Sequence, residues 1–148
     1  MTGIDPTHSP AMRDLLIRIA ASRMALKESR KTLDQAREDF AELTRQVRPL
    51  GDPVLTEAGE ALATAPNDKR LIPFREFTDG LISLAQKHSP EDAERARLMG
   101  MVDQASKTMS KAQEARQYEL CALLRMNTLA REAEALYALE RKQGGGIH

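Results

Sequence analysis

Cysteine, tryptophan and long apolar runs are scarce or missing in this chain of 148 residues. A single cysteine, Cys121, excludes an internal disulfide and any zinc site built from several cysteines. Aromatic residues make up only 3% of the chain, whereas β-sheet cores rely on aromatic and β-branched side chains, so the composition favours helices. No segment approaches the roughly 18 apolar residues of a membrane span, and the polar N-terminus lacks a signal-peptide core. We therefore expect a cytoplasmic protein that does not enter membranes.

The chain also lacks the patterns that carry known chemistries. Its 22 basic and 22 acidic side chains balance, so the net charge does not point to nucleic acid or to an acidic membrane. His8, His88 and His148 have neither metal-ligand spacing nor a nucleophile beside them, and no phosphate-binding glycine loop is present. We expect no catalytic activity, no cofactor and no metal site. The small and apolar neighbours of Cys121 predict a buried structural thiol.

The most informative pattern that is present is a seven-residue repeat near the start of the chain. One apolar residue occupies each step of this column without a gap: Met12, Ile19, Leu26, Leu33, Phe40 and Val47. The spacing predicts one long helix with an apolar stripe that must lie along another helix. A companion column three residues later is small in its middle: Leu15, Ser22, Ser29, Ala36, Leu43 and Leu50. Small side chains suit close approach of an antiparallel neighbour from the same chain better than a leucine-zipper dimer.

Helix limits follow from three pairs in which a capping side chain precedes proline: Ser9-Pro10, Asp52-Pro53 and Ser89-Pro90. These signals predict helices over residues 10–48, 53–64, 73–88 and 90–142, with a loop around residues 65–69. The fold class is all-α, an elongated antiparallel helical hairpin or coiled coil of two long helices with two shorter helices between them. We expect a flexible N-terminus over residues 1–8, a single domain over 9–143 and a flexible glycine-rich tail over 144–148. Gly100 is expected to be tolerated inside a continuous last helix, the alternative being a kink there.

The last helix predicts a partner surface. Its first part has apolar or small residues spaced by three and four: Leu98, Val102, Ala105, Met109 and Ala112. Arg116 and Glu119 then interrupt the stripe, and beyond them apolar residues cover too much of the circumference for one neighbour. We predict that this part binds a partner or a second copy of the chain through Tyr118, Leu120, Leu124, Leu129, Leu136 and Leu139.

A basic stripe follows the apolar column of the first helix. It consists of Arg23, Lys27, Arg30 and Arg37. One interpretation is a docking stripe for phosphates or an acidic partner. The interpretation that we prefer is a set of flanking salt bridges to the last helix, which carries many acidic residues.

These features favour a non-enzymatic helical protein–protein interaction module: an adaptor, a chaperone or an assembly component that forms a homo-oligomer or binds another protein. In helix lengths alone the chain is similar to small helical secretion chaperones and to phage or secretion-system assembly proteins. Abundant alanine, and arginine in preference to lysine, suggest a bacterial or phage origin. Two alternatives stay open. One is nucleic-acid binding through Arg23, Arg30 and Arg37, and the other is a bundle that binds a small apolar ligand near Met109 and Met126.

The seven-residue column generates a direct test. The substitution Leu33→Asp places a charge in the apolar stripe, which costs several kcal/mol when the site is buried. We expect the variant to unfold or to lose its assembly, as measured by thermal melting and by elution volume. A melting temperature and elution volume equal to those of the wild type would contradict the assignment of the stripe.

Overall fold

The computed structural model describes residues 8–66 and 69–145, and all regular structure within these ranges is helical. Helix α1 spans Pro10–Val47, α2 Pro53–Thr64, α3 Leu71–Ala85 and α4 Ala93–Gly145, and a 3-10 turn at Arg48–Leu50 follows α1. The predicted all-α architecture of two long helices with two shorter helices between them is confirmed. The predicted flexible segments at residues 1–8 and 144–148 lie largely outside the described residues, as do residues 67 and 68 of the predicted loop.

The ends of α1 and the start of α2 follow the predicted capping chemistry. The Ser9 hydroxyl accepts a hydrogen bond from the backbone N–H of Met12 at 3.1 Å, which caps α1. After the 3-10 turn, Gly51 adopts a φ of 68° and closes α1, a left-handed conformation that glycine adopts without strain. The Asp52 carboxylate then accepts from the backbone N–H groups of Val54 and Leu55 at 2.9 and 3.2 Å and so caps α2.

The predicted start of α3 is two residues late. Helix α3 begins at Leu71, and its first backbone bond runs from the N–H of Phe74 to the carbonyl of Arg70 at 2.9 Å. Pro73 therefore lies inside the first turn, where its missing N–H leaves no helical bond unmade. The Arg70 side chain is buried, and its Nε donates to the carbonyl of Ala65 at 3.0 Å, just after α2.

The predicted start of α4 at Pro90 is wrong. Ser89 and Pro90 belong to a turn closed by a bond from the Asp92 N–H to the Ser89 carbonyl at 3.0 Å. The cap of α4 is Asp92, whose carboxylate accepts from the Glu94 N–H at 2.9 Å and lies 3.1 Å from Nδ1 of His88. These two contacts, the backbone one first, hold the pKa of the Asp92 carboxyl below its usual value.

The chain divides into two compact units. The central unit contains residues 30–116, and the terminal unit contains residues 1–29 and 117–148. Helix α4 is continuous through Gly100, as predicted. No helix in the described part of the chain is both long enough and apolar enough to cross a bilayer.

The central unit has one hydrophobic core to which all four helices contribute. Phe40 of α1 is only 1% exposed, and its ring lies edge-on to Phe74 and Phe77 of α3, with ring centroids 4.4 and 5.6 Å apart. Such edge-to-face pairs stabilise a core beyond their buried area, by about 0.5–1.5 kcal/mol each. The remaining large core side chains come from every helix: Leu33, Leu43 and Val47 of α1, Leu55 and Leu62 of α2, Leu81 of α3, and Leu98 and Met101 of α4.

The buried stripe of α4 in the central unit differs from the predicted one. The buried positions alternate steps of three and four without a break: Leu98, Met101, Ala105, Thr108, Ala112 and Ala115. Val102 and Met109, which the sequence pattern placed on this stripe, are partly buried and pack against its edge. The stripe has a period of 3.5 residues, the same as that of α1, and most of its side chains are small.

Helices α1 and α2 approach closely at Gly59. A Cβ atom at this position would lie 2.5 Å from Cγ2 and 2.6 Å from Oγ1 of Thr44. Thr44 cannot easily move aside, because it is buried, β-branched, and bonded through its hydroxyl to the carbonyl of Phe40 at 2.7 Å. Glycine is therefore required at position 59 by packing, whereas nothing lies within 4 Å of a Cβ atom at Gly100.

This difference predicts opposite effects for the same substitution. Gly59→Ala should destabilise the fold by about 1–3 kcal/mol through overpacking, while Gly100→Ala should stabilise it by about 1 kcal/mol through helix propensity. Both values are measured by chemical denaturation. Equal shifts of the same sign in the two variants would contradict the close approach of α1 and α2.

Candidate interaction surface

The terminal unit is built from two antiparallel helical segments. The described part contains residues 10–29 of α1 and residues 117–145 of α4. The Ser9 hydroxyl donates a hydrogen bond to the carboxylate of Glu140, so the start of α1 lies beside the end of α4. In this unit α1 and α4 cover one another only along their facing stripes.

The stripe between the two segments contains mainly small or polar side chains at its centre. On α1 the buried residues are Met12, Ser22, Leu26 and Ser29. On α4 they are Glu119, Ala122 and Leu129. The sequence pattern suggested that Glu119 interrupts the stripe, but the structure places Glu119 on it. Its side chain is only 4% exposed and interacts with other groups of the chain. Since each helix has only one neighbour here, its outer surface stays in solvent.

Large apolar side chains are exposed on this outer surface. Those of the terminal unit are Ile17, Met24, Tyr118, Leu120, Leu123, Leu124, Tyr137 and Leu139, whereas the central unit exposes Leu50, Val54, Leu71, Ile72 and Met99. We name Leu120, Leu123 and Leu124 the leucine patch. With Met126 and Asn127 these three residues line a shallow, open depression of about 520 Å³ on α4.

The residues of the predicted partner surface fall into three groups. Leu120 and Leu124, four residues apart, share the patch with Leu123, and Leu124 is the most exposed of the three at 68%. Tyr118 and Leu139 are exposed on the opposite flank of α4. Leu129 is buried and Leu136 half-buried, so both belong to the stripe that faces α1 instead of to a free surface.

The predicted partner surface omitted the exposed Leu123. It could have been found if the steps of three and four at Leu98 and Ala105 had been continued along α4 to Glu119, Ala122 and Leu129. That continuation separates buried positions from exposed ones, which size and hydrophobicity alone do not do.

The predicted basic stripe is exposed at all four positions. Arg23 and Lys27, four residues apart on one face of α1, belong to the terminal unit, whereas Arg30 and Arg37 belong to the central unit. Arg30 has an interaction partner. For Arg23 and Lys27, no ion pair is found among residues 8–66 and 69–145, so the predicted salt bridges to the last helix are not seen for these two.

The helical repeat places Arg23 and Lys27 on the same side of the terminal unit as the leucine patch. In α1, Arg23 follows the buried Ser22 directly, and in α4, Leu123 follows the buried Ala122 directly. Two antiparallel helices are related by a two-fold axis normal to the plane that contains them. The residues that directly follow Ser22 and Ala122 therefore lie on the same side of that plane. We name this side the patch side.

No group of three or more His, Cys, Asp or Glu side chains is placed to hold a metal ion in the described part of the chain. The prediction that Cys121 is buried is wrong: it lies directly before the buried Ala122, on the outer flank of α4, and is exposed. His88 follows α3, and its Nδ1 lies 3.1 Å from the carboxylate of Asp92. Of the two methionines in the ligand alternative, Met109 lies in the central unit and Met126 in the terminal unit.

Comparisons with known protein families, with curated proteins and with solved structures find nothing similar to this chain.

The buried Ser22 gives a test of the stripe in the terminal unit. Its Oγ has no hydrogen-bond partner within the described residues, whereas the Ser29 hydroxyl donates to the carbonyl of Ala25 at 2.8 Å. Ser22→Ala should stabilise the protein by about 1 kcal/mol, since it removes an unsatisfied polar group and improves helix propensity. Ser29→Ala is the matched control and should gain less, as compared by chemical denaturation. A loss of stability in Ser22→Ala would show that the hydroxyl is satisfied.

Proposed function

We propose that the chain is a non-enzymatic protein–protein interaction module that binds its partner through the leucine patch of the terminal unit. The observation that carries this proposal is the exposure of Leu120, Leu123 and Leu124 on one face of α4, at 43%, 38% and 68%. Contiguous exposed leucines are costly in water and mark interaction sites in stable proteins.

An adaptor, a chaperone and an assembly component all use a surface of this kind. Each binds an apolar helix or a second copy through residues spaced by three and four. Leu120, Leu123, Leu124 and Asn127 have this spacing, and they line the shallow depression on α4. The surface fits a helix laid across it better than a small molecule, which needs an enclosed pocket.

Nucleic-acid binding is the less favoured alternative. Arg23, Arg30 and Arg37 are exposed, as such binding would require. The leucine patch gives it no support, because bases stack on aromatic rings and leucine side chains offer none. A nucleic acid would gain only phosphate contacts with the nearby cations.

The double substitution Leu120→Asp with Leu124→Asp tests the proposal. Both side chains are exposed, Leu120 at 43% and Leu124 at 68%, so the variant should melt close to the temperature of the wild type while losing its protein partner or its self-association. Partners are measured by quantitative affinity capture, and self-association by light scattering over a concentration series at two salt concentrations.

The matched control is Thr128→Asp with Ala135→Asp. It adds the same charge to exposed positions on the other flank of the same helix. Loss of binding in the patch variant and retention in the control would support the proposal. Identical behaviour of the wild type and both variants would rule out the leucine patch as the binding surface.

A further inference from the structure

Charge is distributed unevenly between the two sides of the terminal unit. On the patch side, the described helical residues include five basic side chains and one acidic side chain: Arg13, Arg23, Lys27, Arg131, Arg141 and Glu134. On the other side, three basic and three acidic side chains balance: Arg18, Arg125, Lys142, Asp14, Glu28 and Glu132. The neutral net charge of the whole chain conceals this difference.

We infer that the leucine patch binds an amphipathic helix whose polar face is acidic. This inference rests on the proposed interaction function and adds the chemistry of the partner. The leucines would receive the apolar face of that helix, and Arg23 and Lys27 on α1 and Arg131 on α4 would face its carboxylates. Complementary charge of this kind chooses between partners that present similar apolar faces.

The same charges disfavour a second copy of the chain at this surface. An isologous contact about a two-fold axis would bring each patch side against itself. Arg23, Lys27 and Arg131 would then meet the same basic residues of the other copy, and Glu134 alone could compensate. Like charges brought together across an interface reduce affinity, so a foreign acidic partner fits better than self-association.

The experiment uses the full-length chain and two labelled synthetic peptides of about 20 residues, long enough to form a helix. Both peptides carry the same leucine face, and the polar face is glutamate in one and lysine in the other. A third peptide has the composition of the glutamate peptide in scrambled order, which removes the leucine face. Binding is measured by fluorescence anisotropy at low and raised salt.

We expect the glutamate peptide to bind about tenfold more tightly than the lysine peptide at low salt and the preference to shrink as salt screens the charges. Arg23→Glu with Lys27→Glu should reverse the preference. Arg125→Glu with Lys142→Glu changes the net charge equally on the other side and should preserve it. Leu120→Asp with Leu124→Asp should abolish binding of every peptide.

Equal binding of the glutamate and lysine peptides would overturn the acidic preference while leaving the interaction function in place. Binding of the scrambled peptide as tightly as the glutamate peptide would overturn it as well, because the leucine face would then play no part. A dimer that dissociates only in the leucine-patch variant would identify the second copy as the occupant and overturn it too.

Two further results also count against the inference. One is binding to vesicles of anionic phospholipid with no binding of either amphipathic peptide, which would assign the patch side to a membrane. The other is the absence of binding by any peptide. If affinity capture also fails to distinguish the leucine-patch variant from its control, the proposed function falls with it.

Discussion

Burial of the seven-residue column of α1 is the constraint on which the rest of the structure depends. A helix of 38 residues cannot cover its own apolar stripe, so every residue of that column needs a neighbouring helix. In the central unit three other helices contribute to the core around Leu33, Phe40 and Val47. In the terminal unit only one helix covers Met12 and Leu26. One stripe is therefore buried in a bundle at one end and in a simple helix pair at the other.

The two units expose different surfaces because α1 packs against three helices in the central unit and against one helix in the terminal unit. In the central unit, close approach at Gly59 and edge-to-face contacts of Phe40 bring the helices together around large side chains. In the terminal unit, Ser22 and Ala122 allow the backbones to approach but bury little apolar area. Leucines that would be core residues in a bundle are thus left on the outside of α4. The exposed leucine patch is a consequence of having two helices where a core needs more.

Much of this architecture follows from the sequence. Where the structure differs from the prediction, the difference has an identifiable physical cause. The α1 column was readable because its steps are held by large apolar residues such as Leu33 and Phe40. The α4 stripe was only partly readable. Ala105 and Ala112 were placed on it, but Thr108 and Glu119 look like surface residues. The bulkier Val102 and Met109 lie beside the stripe. Ser89-Pro90 carries the same signal as the genuine caps, but Asp92 provides a better cap three residues later. Of the predicted partner residues, Leu129 was wrongly placed on a free surface. It is buried because it lies on the stripe of α4 that faces α1, and the sequence pattern did not follow that stripe past Ala112.

The free energies of apolar burial and of association indicate why charge should decide which partner binds. From their exposed fractions, burying Leu120, Leu123 and Leu124 would contribute on the order of 2–4 kcal/mol. Association costs about 4–15 kcal/mol in lost freedom of motion, so the leucine patch alone does not support a stable complex. A partner must bring further contacts on the patch side, where Ile17 and Met24 of α1 add apolar area and Arg23 and Lys27 add charge. Apolar area is similar for many helices, whereas only an acidic one gains from these cations. The weak apolar term therefore makes the surface selective, because binding depends on the charges that distinguish one helix from another.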